Sequence, residues 1–367
     1  MIPIFEPDLS GKEREYLLEA IDSGWISSQG SYIKDFERAF AQRFDMQYGV
    51  TTSNCTTALH LSLVALEIGP GDEVICPDLT FIAPANMVAL TGASPVLVDV
   101  EADTWNLSPE LTRLAITERT KAIIVVHAYG HAARMEELQS LAAQHEIPVI
   151  EDNAESLGGC YEDKILGSFG KVSCFSFYAN KILTTGEGGM ILTDDEELYY
   201  KLMELRDHGM SRHKRYLHVA LGFNYRMTNM QAAVGMAQLE RFETILEQRQ
   251  RQEFLYKRML RGNDSYFIRP QQPWSQSVHW MMTVQLNISG VRDALLDRLK
   301  EKGIDCRQMI YPVHESQHFK KHYVDRAYPV SKQVSYNSLH LPSSTQLTEE
   351  QIEWITVTFK EALKEFV

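Results

Sequence analysis

No stretch of this 367-residue chain holds the roughly 20 consecutive apolar residues that a membrane-crossing helix needs. The opening Met1-Ile-Pro-Ile-Phe-Glu-Pro lacks the charged and apolar regions of a signal peptide, so the cytoplasm is the expected compartment. Cysteine is scarce. Cys55, Cys76, Cys160, Cys174 and Cys306 are odd in number, far apart and form no C-x-x-C pair. That spacing suggests neither a disulfide framework nor a zinc site, and no metal is expected. Positive charge is in deficit, with 36 Lys and Arg against 49 Asp and Glu and a formal net charge of −13. Nucleic acid and anionic membranes, which call for basic patches, are therefore not expected partners. An anionic small substrate would have to be held by local donors. No G-x-x-x-x-G-K-[ST] loop and no strand-associated G-x-G-x-x-G turn is present, and Gly170-Lys171 precedes a valine, which rules out a P-loop.

What the chain does have is alternation. From about residue 48 to 205, short β-branched runs alternate with amphipathic, helix-like segments, which predicts an α/β fold around a largely parallel sheet. Strands are expected at Tyr48–Thr52, Glu73–Pro77, Pro95–Val100, Ala122–His127, Pro148–Asp152, Val172–Phe177 and Met190–Thr193. Continuous apolar runs such as Ile123-Ile-Val-Val predict strands covered on both faces. After Gln231 the composition changes to a long, charged helical stretch, Leu239–Arg261, then a Pro-Gln-Gln-Pro turn at 270–273 and a strand at Met281–Leu286. This predicts a large domain over 1–240, its N-terminal segment contributing to the cleft, and a smaller α+β domain over 241–367.

Three places carry chemistry. Lys181 follows the apolar run Cys174-Phe-Ser-Phe and precedes Gly186, Gly188 and Gly189, a strand-end setting from which an amine can reach a cleft and form a Schiff base with an aldehyde cofactor. An ordinary turn lysine is the simpler reading of that stretch alone. Asp152 ends Ile147-Pro-Val-Ile-Glu-Asp, at the carboxyl edge where open α/β sheets bind ligands, and its carboxylate could keep a pyridine nitrogen protonated. Its simpler reading is a helix cap. Thr51-Thr-Ser-Asn-Cys-Thr-Thr-Ala-Leu-His reads as a strand end leading into a helix. There the N–H groups of Cys55 and Thr56, with the Thr56 hydroxyl, could bind a phosphate, or Ser53 or Asn54 could simply cap the helix.

Taken in order, Trp25-Ile-Ser-Ser, Ser53-Asn-Cys-Thr-Thr-Ala-Leu-His, Gly69-Pro-Gly-Asp-Glu-Val-Ile, Glu151-Asp-Asn-Ala-Glu, Phe175-Ser-Phe-Tyr-Ala-Asn-Lys, Thr185-Gly-Glu-Gly-Gly-Met and Gly222-Phe-Asn-Tyr-Arg-Met-Thr-Asn resemble the sugar aminotransferases of the fold-type-I pyridoxal-phosphate superfamily. The likeness spans essentially the whole chain. It implies that Lys181 bonds pyridoxal 5′-phosphate and acts as general acid and base, that Asp152 pairs with the pyridine nitrogen, and that Glu155 neighbours the ring hydroxyl. It further implies that Cys55, Thr56 and Ser176 hold the phosphate, that Phe81 stacks on the ring, and that Asn224 reaches the phosphate of a neighbouring subunit in a homodimer. Trp25, Ser27, Tyr311 and His314 are the implied substrate contacts. The implied reaction moves an amino group from L-glutamate, through the pyridoxamine form, to C4 of GDP-4-keto-6-deoxymannose. Its product, GDP-perosamine, suits O-antigen and lipopolysaccharide biosynthesis.

Cys55 stands where relatives often have Gly, Ala179 replaces a frequent Gly, and His279-Trp-Met-Met replaces a more aromatic sequence, which leaves UDP- and dTDP-linked acceptors open. His127 and His131 are weaker pocket candidates, and His208, His213 and His218 lack a metal-site pattern. Two rival readings exist. A dehydratase on the same fold would carry histidine in place of Lys181. A noncatalytic binding or regulatory protein would not need the lysine, the aspartate and the phosphate turn together.

Overall fold

The computed structural model describes residues 1–366. The first half supplies strands β1 (Tyr48–Thr52), β2 (Glu73–Pro77), β3 (Ser94–Val98), β4 (Thr120–Val126), β5 (Val149–Asp152), β6 (Cys160–Tyr161), β7 (Lys164–Ile165), β8 (Val172–Ser176) and β9 (Gly189–Thr193). Seven of these form one sheet in the order β1-β9-β8-β5-β4-β2-β3. Neighbours from β8 to β3 run parallel, and β9 alone runs antiparallel to its neighbours β1 and β8. The α/β class and the mainly parallel sheet expected from the alternating pattern are both present.

The burial of β4 and β5 explains their composition. Ala122 through Val125 and Ile150 are fully buried, because helices cover both faces of the sheet. On one face Leu59, Leu61 and Leu63 of the helix Cys55–Ala65 pack with Val50, Ile124 and Ile150; on the other Met135 and Leu138 of the helix Met135–Gln144 pack with Ile123 and Val125. Each such side chain contributes roughly 1.5–3 kcal/mol on leaving water. The parallel strands thus present their carboxyl ends on one edge, where β4 leads into His127, β5 ends on Asp152 and β8 leads into the Lys181 turn.

The remaining strands are β10 (Tyr266–Ile268), β11 (Ser275–Gln276), β12 (Met282–Leu286), β13 (Arg307–Gln308) and β14 (Ser338–Leu341). A second, antiparallel sheet runs β10-β12-β14-β13, whereas periodicity identified only the strand at Met281–Leu286. Strands of two to four residues are too short to show a period. The long helix expected over Leu239–Arg261 is in fact two, Asn229–Glu240 and Phe242–Met259, interrupted at Arg241, whose backbone leaves the helical region (φ −105°, ψ 10°). The Arg241 guanidinium meets Asp8 at 2.9 Å, a tertiary contact with no local trace in the stretch 239–261, which is free of Gly and Pro. The N-terminal residues cross between the two sheets: Ile2 pairs with Ile304, Ile4 accepts a bond from Ser343, and Asp8 meets Arg241. Among the described residues no helix is long and apolar enough to cross a membrane.

Candidate active site

Asp152 is the last residue of β5 and nearly fully buried. Its Oδ1 accepts the Ala154 N–H at 3.0 Å and lies 3.9 Å from the Cys55 thiol; Oδ2 has no hydrogen-bond partner among the described residues. Burial pushes the Asp152 pKa up, and the Ala154 N–H, Lys181 and His127 bring it part of the way back. Glu155, also buried, accepts the Tyr129 N–H at 2.7 Å through Oε2. Its pKa is raised by burial too, with Lys181 as the main opposing charge.

Lys181 sits in the turn after β8, where its N–H donates to the Tyr178 carbonyl at 2.9 Å. Its Nζ lies 3.4 Å from the centroid of the Trp280 ring. Burial pulls the amine pKa down while Glu155 and Asp152 pull it up, and burial wins. The cleft therefore holds one amine with a raised share of its neutral, nucleophilic form, flanked by two carboxylates, each with one oxygen free of hydrogen bonds among the described residues.

Beside them begins the helix Cys55–Ala65. Asn54 is its cap: Oδ1 accepts the Thr57 N–H at 2.9 Å and the Thr57 hydroxyl reciprocates. The capping reading and the phosphate reading are thus compatible, because the cap takes only the third N–H and leaves those of Cys55 and Thr56 in the first turn without a helical carbonyl. Gly189 opens β9 directly against this turn; a Cβ there would stand 2.6 Å from the Asn54 carbonyl carbon, so only glycine permits the approach. Ser176 is the register partner of Gly189, which brings β8 to the same place, and its hydroxyl accepts the Tyr178 N–H at 3.3 Å.

The other expected residues lie further out. Phe81 is 59% exposed just before the helix Ala83–Leu90, free to cover a flat ligand. Trp25 and Ser27 lie in an exposed loop whose carbonyls hold Asn229 at 2.7 and 2.6 Å, and neither side chain is hydrogen-bonded to Lys181 or Asp152. Tyr311 is half exposed and edge-on to Tyr336. His314 is committed to the buried Asp78, with Nδ1 at 2.7 Å and the backbone N–H at 2.9 Å, and stacks on Tyr328. Asn224 is exposed and accepts Arg226 Nε at 3.0 Å, while its neighbour Tyr225 takes the Ser53 N–H.

His127 and His131 belong to the interior rather than to a pocket. His127 Nδ1 accepts the Ala133 N–H at 3.0 Å, which leaves Nε2–H to donate to Glu151 at 3.1 Å. Glu151, fully buried, also accepts the Gly167, Phe169 and Gly170 N–H groups and the Ser173 hydroxyl. Burial opposes its charge, yet these donors hold its pKa below the ordinary carboxylate value. The side chain next to Asp152 is thus a clamp on the end of β5. Sequence reasoning missed this clamp and Trp280. The segment 279–282 was noticeable only as a departure from relatives, and nothing local reveals that an indole about a hundred residues away covers the lysine.

The chain is similar to known proteins over its whole length. GDP-perosamine synthase of Escherichia coli O157:H7 is 40% identical over 360 residues, 98% of each chain. GDP-perosamine synthase of Caulobacter vibrioides is 42% identical, over 99% of this chain and 98% of its own. Among solved structures, the PLP form of the putative sugar aminotransferase Spr1654 from Streptococcus pneumoniae superposes with a TM-score of 0.95 at 28% identity, covering 100% of this chain and 99% of that one. Residues 7–360 match the model of one family. With the lysine, the two carboxylates and the open helix N-terminus gathered at one sheet edge, the chain belongs to the DegT/DnrJ/EryC1/StrS aminotransferase family.

Proposed function

We propose that the chain transfers the amino group of L-glutamate to C4 of a nucleotide-linked 4-keto-6-deoxy sugar, with GDP-4-keto-6-deoxymannose as acceptor and GDP-perosamine as product. The observation that carries this is the meeting of Lys181, Asp152 and Glu155 beside the first turn of the helix Cys55–Ala65; the full-length likeness to GDP-perosamine synthases supports the choice of sugar.

Pyridoxal 5′-phosphate, when bound, supplies a ring that takes up the electron pair left when a proton departs from substrate carbon, and its pyridoxamine form carries the amino group to the acceptor. The chain's own groups do the rest. Lys181 Nζ would tether the cofactor and, once released, would take the proton from Cα of glutamate and deliver one to C4 of the sugar. Asp152, with Oδ2 unpaired, would keep a proton at the pyridine nitrogen, and Glu155 would neighbour the ring hydroxyl. The Cys55 and Thr56 N–H groups, with the hydroxyls of Thr56 and Ser176, would receive the phosphate at the positive end of the helix dipole. Phe81 would cover the ring face, and Trp25, Ser27, Tyr311 and the segment at His314, whose ring is held by Asp78, would surround the sugar nucleotide.

The test is a screen of GDP-, UDP- and dTDP-linked 4-keto-6-deoxy sugars with glutamate, read by product mass. An amino sugar is expected from the GDP substrate; product only from a UDP or dTDP substrate would reassign the nucleotide, and no amino sugar from any would sink the reading.

The same reading makes the enzyme a homodimer whose sites are shared through Asn224. The segment Ser211–Leu221 supports it: Arg212, Lys214 and Arg215 are concentrated there in a chain of net charge −13, and Tyr216 and Leu221 are 72% and 89% exposed. Mixing Lys181→Ala with Asn224→Ala subunits should restore activity, since some sites would combine an intact Lys181 with an intact Asn224 from the other subunit. If subunits exchange, each variant alone is severely impaired, and no activity returns, the shared site is wrong.

A further inference from the structure

Trp280 precedes β12 and is buried to 8% exposure. Both of its ends are fixed. The carbonyl accepts a bond from the buried guanidinium of Arg249 at 3.2 Å, and the indole Nε1–H donates to the carbonyl of Asn180, the residue before Lys181, at 2.6 Å. The face of the ring then meets Lys181 Nζ at 3.4 Å from its centroid. Tyr129 lies nearly parallel to the same indole, 5.8 Å between centroids and 11° between planes. The Tyr129 N–H is the one that Glu155 accepts, so the stack is tied to the carboxylate side of the cleft.

A side chain that merely fills space has no need to touch both the backbone and the amine of the lysine turn. An indole face carries negative potential and attracts a cation most strongly where water is excluded. The other titratable groups that act on Lys181 are Asp152 at the end of β5, Glu155 just beyond it, and Cys55 on the helix Cys55–Ala65. Trp280 approaches from the segment ahead of β12, a different element from all three.

We propose that Trp280 is a positioning residue for Lys181: its indole face holds the amine whenever Lys181 is not joined to the cofactor, and its Nε1–H holds the turn that carries the lysine. The inference rests on the aminotransferase reading for its consequence, since the amine is free for half of that cycle. The contact itself is independent of the cofactor. By stabilising the ammonium form, Trp280 opposes the burial that favours the neutral amine, and it keeps Nζ on the side of Asp152 and Glu155.

The test is the pH dependence of Lys181 acetylation, quantified by peptide mass, with the remaining lysines as internal reference. It is run on the purified protein loaded with pyridoxal phosphate and glutamate, and again with no cofactor added. Trp280→Leu should lower the midpoint of Lys181 labelling by about one pH unit in both samples, whereas Trp280→Phe, which keeps an aromatic face, should lower it less. A Trp280→Leu midpoint that coincides with wild type in the cofactor-free sample would overturn the proposal and leave the enzymatic reading intact. Failure of glutamate to expose Lys181 in the loaded sample would damage the enzymatic reading alone. Should Trp280→Leu not fold, the tryptophan fluorescence of wild type decides. A step at the pH of Lys181 titration is expected, lost in Lys181→Met; an unchanged step in that variant overturns the proposal.

Discussion

Lys181→Ala is expected to lower turnover by roughly 10⁴-fold or more, because one side chain is being asked both to tether the cofactor and to carry the proton. Little else should change. Lys181 lies in a turn, its backbone bond to Tyr178 needs no side chain, and the donors assigned to the phosphate belong to the helix Cys55–Ala65 and to Ser176. The variant should therefore unfold near the wild-type temperature and still take up pyridoxal phosphate, without covalent attachment. Borohydride reduction of the wild-type enzyme followed by peptide mapping checks the assignment directly, since the reduced label must fall on the peptide that contains Lys181. A label on another lysine removes the catalytic role given to this one.

The second large effect is expected from Asp152→Asn, a nearly isosteric change that keeps an oxygen for the Ala154 N–H but cannot balance a protonated ring nitrogen. Turnover should fall by roughly 10³-fold, the scale on which loss of one preorganised electrostatic partner is felt in a water-poor site. Cofactor retention should suffer less, because the phosphate donors are untouched. The pH profile should change as well. Burial raises the Asp152 pKa, so the carboxylate is present above that raised value and lost as pH falls through it, and activity limited by the carboxylate falls on the same side. In Asp152→Asn that acidic limb should disappear while the basic limb remains. Near wild-type turnover in this variant would remove Asp152 from the pyridine nitrogen.

Both predictions concern residues legible without coordinates, and the reason is local. Asp152 closes an apolar run and Lys181 follows another, so each sits where a buried strand of a parallel sheet must end, and the strand limits read from β-branched runs fall within two residues of those observed. The capped turn at Asn54 is likewise short-range, built from a residue and its third neighbour. These features repeat a pattern within a few positions, which is what a sequence displays.

Other features depend on contacts between distant segments, and no local pattern encodes them. Arg241, where one helix ends and the next begins, pairs with Asp8, more than two hundred residues earlier. His314, implied as a substrate contact by the family resemblance, has its ring bound to Asp78 just beyond β2. Glu151 and Trp280 are conspicuous only once five donors are seen converging on the one, and the lysine amine resting on the other. The amino-acid sequence by itself determined the α/β class, the sheet edge and the identity of its chemical groups, because burial and turn formation act over a few residues. Tertiary structure alone decided which of those groups share a poorly hydrated cleft, and therefore their charge, because desolvation and long-range pairing depend on what the rest of the chain brings alongside.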